Sequence, residues 1–124
     1  MTLRIKLVIL AAVSTAIVAA AAHASATPVG PLPKGPVAAI VTTHGQSIAI
    51  ALPRPARRSG LVWRIARRYD SRVVQQVSEA NVGPNIVVVY KVIGRGQTSI
   101  VYAQTRGDAS RTALAAITHR VRAS

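Results

Sequence analysis

Apolar residues along this 124-residue chain fall into short runs, most of them alternating with polar or small residues. The clearest run has Ile48, Ile50 and Leu52 set against Ser47, Ala49 and Ala51, the period-two pattern of a strand with one buried face. Comparable segments, rich in Val, Ile, Thr and Tyr, cover residues 37–43, 46–52, 61–67, 72–78, 86–92, 98–104 and 112–121. The breaks between them carry turn formers: Gly45, Gly60, Asp70-Ser71, Gly83-Pro84, Gly94-Arg95-Gly96 and Gly107-Asp108. Arg106-Gly107-Asp108, an adhesion tripeptide in other contexts, reads here as a turn before the last strand. Seven short strands at this spacing predict an all-β fold, an antiparallel β-sandwich.

One stretch admits a second reading. Val62, Ile65, Ala66, Tyr69, Val73 and Val77 also recur at helical spacing, with Arg64, Arg68 and Arg72 opposite them. That pattern would give a basic amphipathic helix over 61–78. The turn pair Asp70-Ser71 and the β-branched flanks favour strand–turn–strand.

The first 26 residues read as an export signal. Arg4 and Lys6 precede the apolar run 7–22, and Ala24-Ser25-Ala26 fits a small-x-small cleavage site. Cleavage is expected after Ala26, with Ala24 as the nearest alternative. The apolar run is shorter than the ~20 residues of a spanning helix. The chain is therefore expected to be exported, periplasmic or secreted, with a mature part that spans no membrane. Residues 27–36 hold Pro28, Pro31, Pro33 and Pro36 with Gly30 and Gly35, a linker composition that excludes regular helix. Residues 37–124 then form the sandwich domain.

Charge adds a second theme. The chain carries 16 Lys and Arg against three acids, a formal +13. Loss of Arg4 and Lys6 with the signal would leave +11. Such a field draws anionic polymers, acidic proteins or lipid surfaces. The arginines cluster at Arg54, Arg57, Arg58, Arg64, Arg67, Arg68 and Arg72. Arg54, Arg64 and Arg68 are the candidate anion-binding residues, since guanidinium forks match phosphate and carboxylate. Only four aromatic residues exist, too few to supply both a core and a base-stacking platform. Nucleic acid therefore ranks below other anions.

Catalytic constellations are missing. Without cysteine there is no thiol nucleophile, thiolate metal site or disulfide. His44 and His119 stand apart, and His23 falls in the signal. Asp70, Glu79 and Asp108 are far apart in sequence. No Gly-x-Ser-x-Gly element occurs. The residues predict a protein without enzymatic activity, metal or cofactor.

The order of framework features is more specific. An alternating strand ends in Leu52-Pro53; the next loop ends in Ser59-Gly60, with Trp63 three residues on. Gly83 precedes Ile86-Val87-Val88-Val89, and Lys91-Val92-Ile93-Gly94 leads to Tyr102 eight residues later. This arrangement resembles the chagasin-like inhibitors of papain-type cysteine proteases, which are immunoglobulin-like β-sandwiches. The resemblance implies a proteinase inhibitor that occludes the protease cleft with three loops and no covalent chemistry, its partner a cysteine protease or another peptidase. The loops would lie at 53–60, 81–85 and 104–108, and their partner-binding residues would be Arg57, Arg58, Ser59, Gly60, Asn81, Gly83, Gln104, Thr105 and Arg106. Departures are plain. Where the family reads Asn-Pro-Thr-Thr-Gly, this chain reads Ala56-Arg57-Arg58-Ser59-Gly60. The second loop holds one glycine, and Gln104-Thr105-Arg106 stands in place of Arg-Pro-Trp. The alternative is a basic periplasmic or secreted protein that binds anionic envelope polymers or nucleic acid, with inhibition lost.

Overall fold

A computed structural model describes residues 27–124; the expected export signal, with Arg4, Lys6 and His23, lies outside the described residues. Seven strands follow in order: β1 (Val37–Thr42), β2 (Ser47–Pro53), β3 (Leu61–Ile65), β4 (Val74–Val82), β5 (Asn85–Val92), β6 (Gly96–Arg106) and β7 (Ala115–Ala123). They form a four-stranded sheet, β1-β7-β6-β3, and a three-stranded sheet, β2-β5-β4. The split of β2-β5-β4 from β3-β6-β7 is that of an immunoglobulin-like sandwich. One pairing departs from a wholly antiparallel reading. β1 runs parallel to β7, from Val37 opposite Thr118 to Thr42 opposite Ala123. It leaves the β2 side and extends the opposite sheet at its edge.

The alternation read in the sequence decides what is buried. Ile48, Ile50 and Leu52 of β2 are buried, and their neighbours are exposed. They meet Val88, Tyr90 and Val92 of β5, Ile100 and Tyr102 of β6, and Val121 and Ala123 of β7 in one core. Trp63, Tyr69, Ile86 and Ile117 pack against it. The region 61–78 is strand–turn–strand. Val73 N and Val74 N donate to the Asp70 carbonyl, and the Asp70 carboxylate accepts from Arg72 N and from its guanidinium. The Arg72 guanidinium thus holds the Asp70 carboxyl below the usual carboxylate range.

Residues 27–36 contain no strand, yet they are fastened along the outer face of the four-stranded sheet. Gly30 N donates to the Arg111 carbonyl and Thr118 N to that of Pro36. Gly35 lies so close to the Ala116 backbone that a Cβ would fall 1.8 Å from its carbonyl oxygen. Val29 is buried, and so are the outward-facing Val101, Ala103, Thr105 and Ala116 that this segment crosses. A Pro- and Gly-rich composition that excludes regular helix or a central strand does not prevent docking.

Three tyrosines share the core. The Tyr90 and Tyr102 hydroxyls are 2.5 Å apart, and Tyr69 meets Tyr90 edge to face with centroids 5.6 Å apart. Burial pushes the Tyr102 hydroxyl up to about 12. Burial first, and the adjoining Tyr102 second, push Tyr90 further in the same direction. An unfolded chain would lose these protons near pH ~10. The stabilisation is therefore complete below ~10 and falls as pH climbs from there towards about 12. Urea midpoints measured across that range are expected to drop steadily; a constant midpoint would contradict the buried hydroxyl pair.

Candidate functional site

Strand direction brings three connections to one end of the sandwich. Pro53 pairs with Asn85 and Val82 with Asn85, which sets the end of β2 beside the β4–β5 turn. Leu61 pairs with Arg106, which sets the start of β3 beside the β6–β7 loop. The segment between β2 and β3 crosses from one sheet to the other and joins the two sides. Arg54 N donates to the Pro84 carbonyl at 2.9 Å, and its guanidinium to that of Gly83 at 3.1 Å. Gly107 N donates to the Gly60 carbonyl at 2.9 Å. Trp63 Nε1 donates to the Pro53 carbonyl at 2.7 Å, closing the stem of the β2–β3 loop. The three loops are one hydrogen-bonded platform.

Its most prominent part is the tip at Ala56-Arg57-Arg58-Ser59. Ser59 N donates to the Ala56 carbonyl, a four-residue turn with Arg58 at φ 64°. Arg58 is the one non-glycine residue with positive φ among the described residues. This position of a type II turn ordinarily takes glycine. The Ser59 hydroxyl accepts from Leu61 N, and Gly60 at φ 74° leads into β3. Left-handed backbone costs an L-residue ~1–2 kcal/mol, and glycine returns part of that gain through a freer unfolded chain. Arg58→Gly is expected to raise stability by about 0.5–1 kcal/mol, or Tm by about 4 °C. A lowered Tm would show that the tip is held by the arginine side chain.

The second loop is a tight hairpin. β4 runs to Val82 and β5 starts at Asn85, leaving Gly83 at φ 56° and Pro84 between them. Glycine at the first central position suits a type II′ turn. Asn81 is exposed on β4 beside it. The third loop begins later than the residues suggested. Gln104 and Thr105 lie in β6, paired with Trp63 and Val62. Thr105 is fully buried; its hydroxyl donates to the Gly107 carbonyl at 2.6 Å. It is framework below the loop. The exposed part runs from Arg106 through 107–114 and includes Leu114, a large apolar side chain 47% exposed. Leu114 was masked in the sequence because an apolar residue in a Thr- and Ala-rich run reads as strand interior.

The structure thus brings Arg57, Arg58, Ser59, Gly60, Asn81, Gly83 and Arg106 to one end. The expected anion-binding arginines do not form one patch. Arg54 is turned to the Gly83 carbonyl. Arg64 faces the N-terminal segment and donates to the carbonyls of Ser110 and Thr27 and to the Thr105 hydroxyl. Arg67 holds the carbonyls of Val29 and Gly30. Arg68 is exposed beyond β3, away from the loops. His44 is exposed in the β1–β2 turn; His119 is half-buried, and burial lowers its pKa.

No protein-family model matches the chain, and a search of curated proteins gives no match. Solved structures do. The chain superposes on the cysteine protease inhibitor EhICP2 from Entamoeba histolytica with a TM-score of 0.53 and 20% identity, over 74% of this chain and 99% of that one. It superposes on PbICP-C, whose structure is a complex with falcipain-2, with a TM-score of 0.52 and 12% identity, over 79% of this chain and 98% of that one. The resemblance read from Gly60, Trp63, Gly94 and Tyr102 therefore holds at the level of the fold: this chain is a seven-stranded sandwich of the kind found in the chagasin-like cysteine protease inhibitors.

Proposed function

We propose that this protein is an exported, non-enzymatic inhibitor that occupies the cleft of a papain-type cysteine protease with the loops at one end of its sandwich. The observation that carries the reading is the hydrogen-bonded platform of three loops, Arg54 to Gly83 and Pro84 and Gly60 to Gly107, on a fold shared with two such inhibitors. A pre-ordered set of loops loses little entropy on binding, which favours tight association from a small surface. The contacting residues are Arg57, Arg58, Ser59, Gly60, Asn81, Gly83, Arg106 and Leu114. None of the loop residues 54–60, 83–84 or 107–114 is aromatic, so the usual interface anchor is absent. Arg57 and Arg58 supply charge instead and suit a cleft with acidic walls.

Papain tests the mode of binding. The chain should bind free papain and fail to bind papain whose active-site thiol carries a bulky covalent blocker. Equal binding to both would place the contact outside the cleft. Arg57→Ala with Arg58→Ala should weaken binding about tenfold at low salt and less at moderate salt, through a slower on-rate. Unchanged affinity would remove the charge-steering part of the mechanism.

A further inference from the structure

The N-terminal segment covers only half of the outer face of the four-stranded sheet. The other half is open. There β7 presents Arg120 and Arg122, both exposed, with Val121 between them buried in the core. On one side stand Ala39 and Val41 of β1, opposite Arg120 and Arg122; on the other stand Ser99 and Gln97 of β6. These residues line an open groove of about 520 Å³. It lies at the C-terminal end of β7, away from the loop platform. Arg95 lies in the turn before Gly96, at the same end of the sheet as the end of β7.

The arrangement is unbalanced in charge. The Cα atoms of Arg120 and Arg122 lie about 7 Å apart on one face of a strand, and both side chains are exposed there. Such like-charge neighbours repel unless an anion lies between them. No Asp or Glu side chain among the described residues is available to lie between them. Asp70 is paired with Arg72, the one ion pair among the described residues. Glu79 is on β4 of the other sheet, and Asp108 is in the loop at the opposite end. The flanking side chains on β1 are short, so the forks are accessible. Ser99 and Gln97 add neutral hydrogen-bonding groups beside them.

We infer that this groove is a binding site for an anionic glycan, a polymer whose sulfate, phosphate or carboxylate groups pair with Arg120 and Arg122 while its hydroxyls meet Ser99 and Gln97. Guanidinium forks bind such oxyanions in a bidentate way. The groove contains no aromatic residue, and Tyr69, Tyr90 and Tyr102 are engaged in the core, so bases of a nucleic acid would find no stacking partner. The site is independent of the loop platform and does not rest on the inhibitor reading. It would tether the protein to a charged surface while leaving the loops free.

Calorimetric titration of the purified protein with a heparin-derived oligosaccharide at near-physiological salt tests this. Arg120→Ala with Arg122→Ala should weaken binding by about tenfold or more, since charge-assisted hydrogen bonds are lost with the charge. Arg57→Ala with Arg58→Ala removes the same net charge elsewhere and should weaken it by less than about threefold. Equal losses in the two pairs would make the affinity a property of bulk charge and overturn the site. As a check that needs no variant, heparin should shift the backbone amide resonances of Ser99, Arg120 and Arg122 and leave those of 57–60 in place; the reverse pattern overturns it. Equally tight binding of an oligo-dT of matched charge, lost in the same Arg120 and Arg122 variant, would overturn the assignment to a glycan.

Discussion

Trp63→Ala is expected to lower the unfolding free energy by about 3 kcal/mol and to abolish protease binding. The indole packs against the core from β3, and its N–H closes the stem of the β2–β3 loop on the Pro53 carbonyl. Truncation therefore removes apolar burial and unties the platform at once. Trp63→Phe separates the two effects. It keeps most of the packing and loses the hydrogen bond, at about 1 kcal/mol because water can reach the Pro53 carbonyl. If the bond positions the loop, Trp63→Phe weakens protease binding by more than its stability loss explains. Urea unfolding and binding measured on the same two variants decide this. A Trp63→Phe variant with full binding would make the tryptophan a packing residue alone.

Gly94→Ala is the second large effect. Gly94 N and Ile93 N donate to the Val73 carbonyl, which draws the β5–β6 turn onto the start of β4. A Cβ at residue 94 would sit 2.1 Å from the Arg72 carbonyl oxygen. The obstacle is backbone, so no side-chain rotation relieves it. Val73 and Val74, both buried, would have to move with it. A cost of about 2–3 kcal/mol is expected, the upper range for an overpacked site. Thermal unfolding reads it directly. A Tm within a degree or two of the parent would mean that the turn yields freely and that the glycine marks something other than close approach. The loop platform lies at the other end of the sandwich, so Gly94→Ala should reduce stability without changing affinity for a protease.

These two residues show why the framework could be read from the sequence. Trp63 and Gly94 are set by local spacing and by steric need. The seven strands were legible for the same reason: Ile48, Ile50 and Leu52 alternate because one face is buried. Strand ends were less legible. β4 starts at Val74 and runs to Val82, and β7 starts only at Ala115, because a ladder extends as far as its partner allows. The sequence reading ended the sixth strand at Gln104, whereas pairing with β3 carries β6 to Arg106 and turns Thr105 into a buried framework residue. The parallel β1 was hidden because its alternation is the same whichever way its neighbour runs. Arginine roles were hidden too. Arg54, Arg64 and Arg67 read as free charge, yet their partners are backbone carbonyls 29 to 46 residues distant, which spacing cannot reveal. Arg120 and Arg122 could have been found: Arg-Val-Arg inside an alternating strand places both charges on one exposed face.

Two surfaces emerge at opposite ends of one sandwich. The loop platform carries Arg57 and Arg58 at its tip; the groove on the far side holds Arg120 and Arg122. A left-handed arginine at residue 58, where glycine would relieve the backbone, fits a side chain used at the tip. Its contribution would then be to binding at the expense of stability, a common trade at functional sites. Inhibition is the property that distinguishes this account from a sandwich that kept only its shape. The decisive measurement is a titration of the purified protein against papain, following residual activity at low and at moderate salt. Stoichiometric, reversible inhibition that persists at moderate salt is the expected result, and it would show that an Arg-Arg-Ser-Gly tip works in the cleft. Full papain activity at both salt concentrations, with the protein in excess, would contradict the inhibitor reading.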